Sequence, residues 1–274
     1  MGDRGRSRRY TLLGMLDYSA VDGVAVITLN RPDVLNALDH ELGVKLLDAV
    51  TRAASDDHIR CMVLTGAGRA FCSGEDLGAL GRDYEQGSPP DLGAIVAERY
   101  NPLIRQLRRA PKPAVAAVNG VAAGAGASIV LACDFRPAVE RARLIFPFVN
   151  VGLIPDSGAT WFLPRMIGTA PAWDLTSTGR AVDADEARRL GLFTEVVSPD
   201  RFEETWRSLA DELAAGPTRA FALTKALLDG AGERSLDEHL EHEARSQAEA
   251  GATDDHLEGV KAFLDKRPPA FKGR

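Results

Sequence analysis

The sequence predicts an α/β fold, with helices packed outside a sheet and an all-helical C-terminal part. Two observations carry the first half of that expectation. Short apolar runs suited to buried strands, residues 59–65 and 114–118, each lead through a Gly-rich turn into a helical segment. The resulting unit of strand, turn and helix appears at 63–77 and again at 115–129, an alternation that places helices against a sheet. A third observation carries the second half. Beyond Pro199 the strand signals stop, and residues 201–228, 236–250 and 254–266 read as helical.

Composition bounds the function. The 274 residues suit one large domain, or one domain with an appendage. A net charge of −6 argues against nucleic acid as the partner. No apolar run approaches the about 20 residues of a membrane span, so no membrane partner is expected. Cys61, Cys72 and Cys133 are odd in number and widely spaced, which reads as reduced thiols in a cytoplasmic protein.

In chain order, the basic start (MGDRGRSRRY) reads as a disordered extension, and residues 1–14 are set outside the fold. Residues 17–30 read as a hairpin about the Asp22-Gly23 turn, ended by Arg31-Pro32. A helix is expected from Asp39 as N-cap, with Leu42, Leu46, Leu47 and Val50 on one face. Residues 81–92 lack periodicity and read as a loop, either a lid or a plain connection. Residues 92–109 read as a helix. The stretch 146–155 is apolar and ends in a turn at Pro155, after which Asp156-Ser157-Gly158 opens another helix. Further on, a helix over 184–190, with Asp183 or Asp185 as its N-cap, and a short strand over 193–198 complete the α/β part. The division is then a core at 15–205 and a helical subdomain at 206–274.

The chemistry centres on two turns. In AFCSGEDL (residues 70–77) and in GVAAGAGAS (120–128), small residues separate a strand from a helix. Such turns leave backbone N–H groups free at a helix start and let a ligand approach closely. Two of them on equivalent strand ends can aim two N–H groups at one point, which is the geometry of an oxyanion hole. GVAAGAGAS is a poor dinucleotide fingerprint, because Ile129 stands where the third Gly belongs. The five histidines lie outside these motifs. His239 and His242, among glutamates, read as a solvated helix face.

These two motifs, with VGLIPDSGATWFLPRMIG (151–168) and KAFLDKRPPAF (261–271), in this order and spacing, resemble the enoyl-CoA hydratase/isomerase (crotonase) superfamily over about residues 15–274. Within it, the AERYNPLIRQL helix, the GVAAGAGA turn and the LIPDSG-TW segment are most similar to epoxyphenylacetyl-CoA isomerase-like members, enzymes of phenylacetate degradation. The resemblance implies a spiral of ββα units with a C-terminal helical subdomain for oligomerisation and CoA contacts. It also implies assembly as a homotrimer or a dimer of trimers. The substrate is an acyl group carried as a coenzyme A thioester, with no metal or redox cofactor.

Carried over by position, the resemblance puts the oxyanion donors on the backbone N–H groups of Glu75 and Ala125. The two glutamates with which hydratases of the family hold water fall on Ser128 and Phe148, and neither residue can act as a base. Asp156 remains, where the isomerase branch carries its acid. One carboxylate can take a proton from one carbon and return it to another. By its residues alone, Asp156 fits a helix N-cap equally well. Asp76 reads as structural, Cys72 as packing, and the Glu75 side chain as solvent-facing with a second acid role as the alternative. For CoA, the resemblance points to Ala70, Cys72, Asp76 and Leu77 at the first turn. It also points to Arg31 and Val34 after the first hairpin, and to Phe263 and Lys266 on the last helix, in some members across a subunit interface. The expected function is an acyl-CoA isomerase. An enoyl-CoA hydratase and a non-catalytic acyl-CoA-binding protein are the alternatives.

Overall fold

The computed structural model describes residues 8–10, 14–85 and 87–274. The expected extension at 1–14 lies outside these, apart from Arg8–Tyr10 and Gly14. Arg8–Tyr10 is not free chain. It forms strand β1, antiparallel to β2 (Leu16–Val21). β2 pairs antiparallel with β3 (Val24–Leu29) through Asp22-Gly23, where φ is 49° and 83°. Positive φ at both turn residues matches the right-handed twist of a two-residue hairpin. Helix α1 (His40–Ser55) follows, and the Asp39 carboxylate accepts from Leu42 N at 2.8 Å as its N-cap.

Strand β4 (Cys61–Gly66) pairs parallel with β3, and β6 (Ala114–Ala116) pairs parallel with β4, giving a five-stranded sheet in the order β1-β2-β3-β4-β6. It is covered on both faces. Ala25, Ile27 and Leu29 pack into the main core with Leu42, Leu46 and Val50 of α1. Val24, Cys61, Val63 and Val115 meet Trp206, Ala210 and Leu213 on the other side. Burial from both faces is why β4 and β6 read as unbroken apolar runs instead of alternating ones.

The turn units contain more strand than the sequence suggested. β5 (Ala70–Cys72) precedes α2 (Leu77–Glu85), and β7 (Val121–Ala123) precedes α5 (Ala125–Ala132). Between them lie α3 (Leu92–Ile95), a wide helical turn over Val96–Tyr100, and α4 (Asn101–Arg109). Residues 81–92 are therefore not loop throughout. The Asp76 carboxylate accepts from Ala79 N at 3.1 Å and caps α2, so helix extends to Glu85.

Strands β8 (Pro137–Val139) and β9 (Arg143–Ile145) lead through a tight turn at Pro147–Val151 to α6 (Ala159–Ile167), α7 (Thr169–Thr178), β10 (Ala181–Asp183), α8 (Ala184–Arg189) and β11 (Glu195–Val197). The second sheet has the order β10-β9-β7-β5, with β5, β7 and β9 parallel. β11 pairs with β8. The chain closes with α9 (Pro199–Ala215), α10 (Thr218–Gly230), α11 (Leu236–Gly251) and α12 (Asp254–Leu264). A subdomain boundary at 205/206 would cut α9, whose Trp206, Ala210, Leu213 and Ala214 fill the second core. α9 ends at Ala215, and α10 follows after Gly216.

Candidate active site

β5 and β7 are neighbours in one sheet and run parallel, so the turns leaving them lie side by side. Each turn reverses on a glycine with positive φ, 91° at Gly74 and 53° at Gly124. A Cβ on Gly74 would lie 2.8 Å from Ala123 O and 3.5 Å from Ala125 N, so the approach requires glycine. Two buried amides hold the incoming loop. Nδ2 of Asn36 donates to Ala67 O and Ala70 O, and Nδ2 of Asn119 donates to Gly68 O and Ala70 O. The backbone N–H groups of Glu75 and Ala125 follow the two glycines, and among the described residues neither is taken up by an intrachain hydrogen bond. Ala125 begins α5, where the helix leaves its first N–H groups unpaired and the helix dipole favours negative charge.

Both turns open on a cavity of 480 Å³. Its wall is mainly apolar, with Leu80, Ile95, Val96, Phe148, Leu153 and Ile154 prominent, and Asp156 is part of its lining. Asp156 does not cap α6. That helix starts at Ala159 with Gly158 as N-cap and no side-chain cap, so the N-cap alternative is set aside. The Asp156 backbone O accepts from Ser128 Oγ at 3.1 Å, and its Oδ1 accepts from Ser157 Oγ at 2.8 Å. Burial pushes the Asp156 carboxyl above the usual carboxylate range, the Ser157 hydrogen bond pulls it back, and the charge of Glu75 adds to the rise. Ser128 and Phe148 are buried, Phe148 against the cavity.

The Glu75 side chain is not turned to solvent. Arg99 Nη1 donates to both its oxygens, at 2.9 and 3.1 Å, and the Tyr100 hydroxyl donates to Oε2. Tyr100 is buried, which pushes its phenol well up. Sequence reading missed these two partners. They sit in the AERYNPL stretch, read there only as a helix, and the wide turn at Val96–Tyr100 that presents them has no sequence signature, although such turns favour functional sites.

The proposed CoA contacts divide. Leu77 lines the cavity and is exposed. Ala70 and Cys72 are fully buried in β5 and do not line it; Ala70 O is bonded to the two asparagines. The Asp76 side chain caps α2 and pairs with Arg31 Nη2 at 3.1 Å. Arg31 also donates to Ala37 O and pairs with Asp39, so it braces the loop before α1. Val34 is exposed away from the cavity lining, and its O accepts from Ser73 Oγ. Phe263 and Lys266 are exposed at the end of α12 and do not line the cavity of their own chain.

Two oxyanion-type donors, a raised carboxylate and an apolar cavity form one constellation, and its family can be tested. A family model described as Enoyl-CoA hydratase/isomerase matches residues 19–274. The chain belongs to the enoyl-CoA hydratase/isomerase family. Its fold is the crotonase fold: a crystal structure of an enoyl-CoA hydratase/isomerase from Cupriavidus metallidurans superposes with a TM-score of 0.88 at 34% identity, covering 96% of this chain and 98% of that one. Among curated relatives, the 1,2-epoxyphenylacetyl-CoA isomerase of Escherichia coli K12 is 43% identical over 252 residues, 92% of this chain and 96% of the relative. The 2,3-dehydroadipyl-CoA hydratase of the same organism is 35% identical over 251 residues, again 92% and 96%. Members of this family with both kinds of name are thus similar along nearly the whole chain. Among the described residues no helix is long and apolar enough to cross a membrane.

Proposed function

We propose that the protein is an acyl-CoA isomerase that moves a double bond, or rearranges an epoxide or oxepin, in an enoyl- or aryl-CoA. The thioester oxygen would sit between the N–H groups of Glu75 and Ala125. Two such donors stabilise the enolate by about 2.7–4 kcal/mol each in comparable sites. Asp156 then takes a proton from one carbon and returns it to another. The observation that carries the reading is the state of the cavity's acids. Among the described residues lining it, Asp156 alone has a carboxylate oxygen without a partner, while Glu75 is fully bonded. Ser128 and Phe148, at the positions of the hydratase glutamates, offer no base. The chemistry asks for no metal ion or redox cofactor, because one carboxylate suffices for the proton transfer. The apolar wall suits a medium-chain or aromatic acyl group.

The similarity to a hydratase supports a second reading, in which Asp156 activates water. Turnover of a panel of enoyl- and aryl-CoA thioesters in heavy water, with wild type and Asp156→Asn, separates the readings. Isomerised product with solvent deuterium in the acyl chain, lost in Asp156→Asn, is expected. Fast hydration with no isomerised product would favour the second. Binding with no deuterium uptake would leave an acyl-CoA-binding protein.

The assembly proposed is a homotrimer or a dimer of trimers, in which Phe263 and Lys266 of one protomer reach CoA held by another. The exposure of Phe263 on α12 and of Lys266 just after it, beside exposed Leu257, Val260 and Leu264, supports it. Sedimentation analysis that returned a monomer would exclude it.

A further inference from the structure

Arg99 reaches Glu75 along a path that the fold keeps open. Its side chain crosses α1 at Gly43, where an added Cβ would lie 2.6 Å from Arg99 Cδ and 2.9 Å from Cγ. Glycine inside a helix is less favourable than alanine, so the notch is a local sacrifice. Beyond it, Nη1 bonds both Glu75 oxygens, and the side chains are only 12% and 19% exposed. Arg99 Nε is buried with no hydrogen-bond partner. A buried, incompletely bonded ion pair is weak evidence for stability, since two apolar residues would often serve as well. What the pair does achieve is local: it offsets the charge of a carboxylate borne by the very residue whose N–H would face the developing enolate.

We infer that Arg99 is a positioning residue. Threaded past Gly43, it neutralises Glu75 and, with Tyr100, pins that carboxylate away from the substrate, so that Asp156 supplies the cavity's one working negative charge. This deepens the isomerase reading and rests on it for its chemical meaning. Without Arg99, Glu75 would oppose both the enolate and the ionisation of Asp156, for each places a second negative charge nearby. Among the described residues the titratable groups lining the cavity are Glu75, Tyr100 and Asp156. Ser157 and Ser128 contact Asp156 from its own turn and from α5, and Arg99 stands behind Glu75.

The test reads Asp156 directly, by carbon NMR titration of aspartate-labelled protein without ligand, with Asp156→Asn to assign the signal. Arg99→Leu is expected to raise the Asp156 midpoint by ~1 pH unit, and Glu75→Gln to lower it by a similar amount. The double variant should return to within a few tenths of wild type, and Arg99→Lys should keep most of the wild-type value. An unmoved midpoint in Glu75→Gln overturns the inference, as does a shift in Arg99→Leu that the double variant does not reverse. If Arg99→Leu fails to fold, the sign of the Glu75→Gln shift still decides. Because no turnover enters this measurement, it stands or falls separately from the isomerase reading, which deuterium exchange by the wild type tests. Where exchange is seen, kcat of Arg99→Leu should fall ~10- to 100-fold and recover in the double variant.

Discussion

The Ser157 hydroxyl donates to Asp156 Oδ1 at 2.8 Å while Ser157 itself holds a left-handed backbone, φ 52°, and is buried. Gly158 continues the left-handed path at 83°. This pair delays the start of α6 to Ala159 and leaves the Asp156 carboxylate in the cavity instead of on the helix end. The arrangement puts strain in the backbone and a buried hydroxyl on one oxygen of the Asp156 carboxylate, and each can be probed.

Removing the hydroxyl should weaken Asp156 as the ionised base. The hydrogen bond favours the charged form against burial. In Ser157→Ala the carboxyl is expected to rise further, and the acid limb of kcat/KM to move up by ~0.5–1 pH unit. Ser157→Gly should shift the profile equally, yet unfold at a higher temperature than Ser157→Ala, since glycine accepts φ 52° without strain. Equal pH profiles for wild type and both variants would show that the hydroxyl does not tune the acid.

Asp156 should also cost stability where it is useful. Its carboxyl lies above the usual range in the folded chain, so protonation favours the fold. That contribution is complete below the unfolded-chain value and is lost as pH rises through the folded-state value. At neutral pH the ionised group therefore weighs against folding, and Asp156→Asn should remove the penalty. The variant is expected to be inactive yet to melt ~1–3 °C higher at pH 7, with the gain shrinking towards pH 4. A lower melting temperature at pH 7 would contradict the assignment.

The parts of the site that were legible in the sequence were those written in backbone-specific residue types. Gly74 and Gly124 announced close turns, and Asp156 beside Ser-Gly announced a helix start with an acid. Local spacing could not say which use of Asp156 prevails. The left-handed Ser157 takes Asp156 off the start of α6, and serine carries no signal for positive φ. The Glu75 partners were hidden because Arg99 and Tyr100 lie 24 and 25 residues away and meet it only when the turn after β5 folds beside the wide turn. Strands β5 and β7 are three residues each and sit among Gly and other small residues, so no periodicity registers, whereas the equally short β6 lies inside the apolar run 114–118. The order of the main helices and of β2, β3, β4 and β6 was readable because two-sided burial and amphipathic faces both leave strong patterns.

The cysteines give a test of packing that needs no turnover. Cys61, Cys72 and Cys133 are all buried, and burial pushes each thiol up, Cys72 and Cys133 to about 12. Neither exposure nor thiolate is available at neutral pH, so none should be nucleophilic. Native protein is expected to resist iodoacetamide at pH 8, and all three thiols to react once it is unfolded. Modification of Cys72 in the native state would mean that β5 opens, since its Sγ accepts from Gly74 N inside the first turn.

Gly126 sets the distance between the turns that carry the Glu75 and Ala125 N–H groups. A Cβ there would lie 2.4 Å from Cys72 O and 2.9 Å from Cys72 Sγ, both in β5. The backbone oxygen cannot swing aside as a flexible side chain would, so Gly126→Ala must push α5 away from β5. The Ala125 N–H, one residue earlier on α5, moves with the helix. Overpacking of this kind costs about 1–3 kcal/mol of stability. A displaced donor should lower kcat by ~10²-fold or more, with a smaller effect on KM, because the donor acts on the developing charge more than on bound thioester. Cys72→Ala in the Gly126→Ala background removes the sulfur clash but not the carbonyl clash. It is expected to restore part of the melting temperature and little of the kcat. Full recovery of kcat would show that the sulfur alone spaces the turns and that the backbone approach of α5 to β5 is not what holds the donors in register.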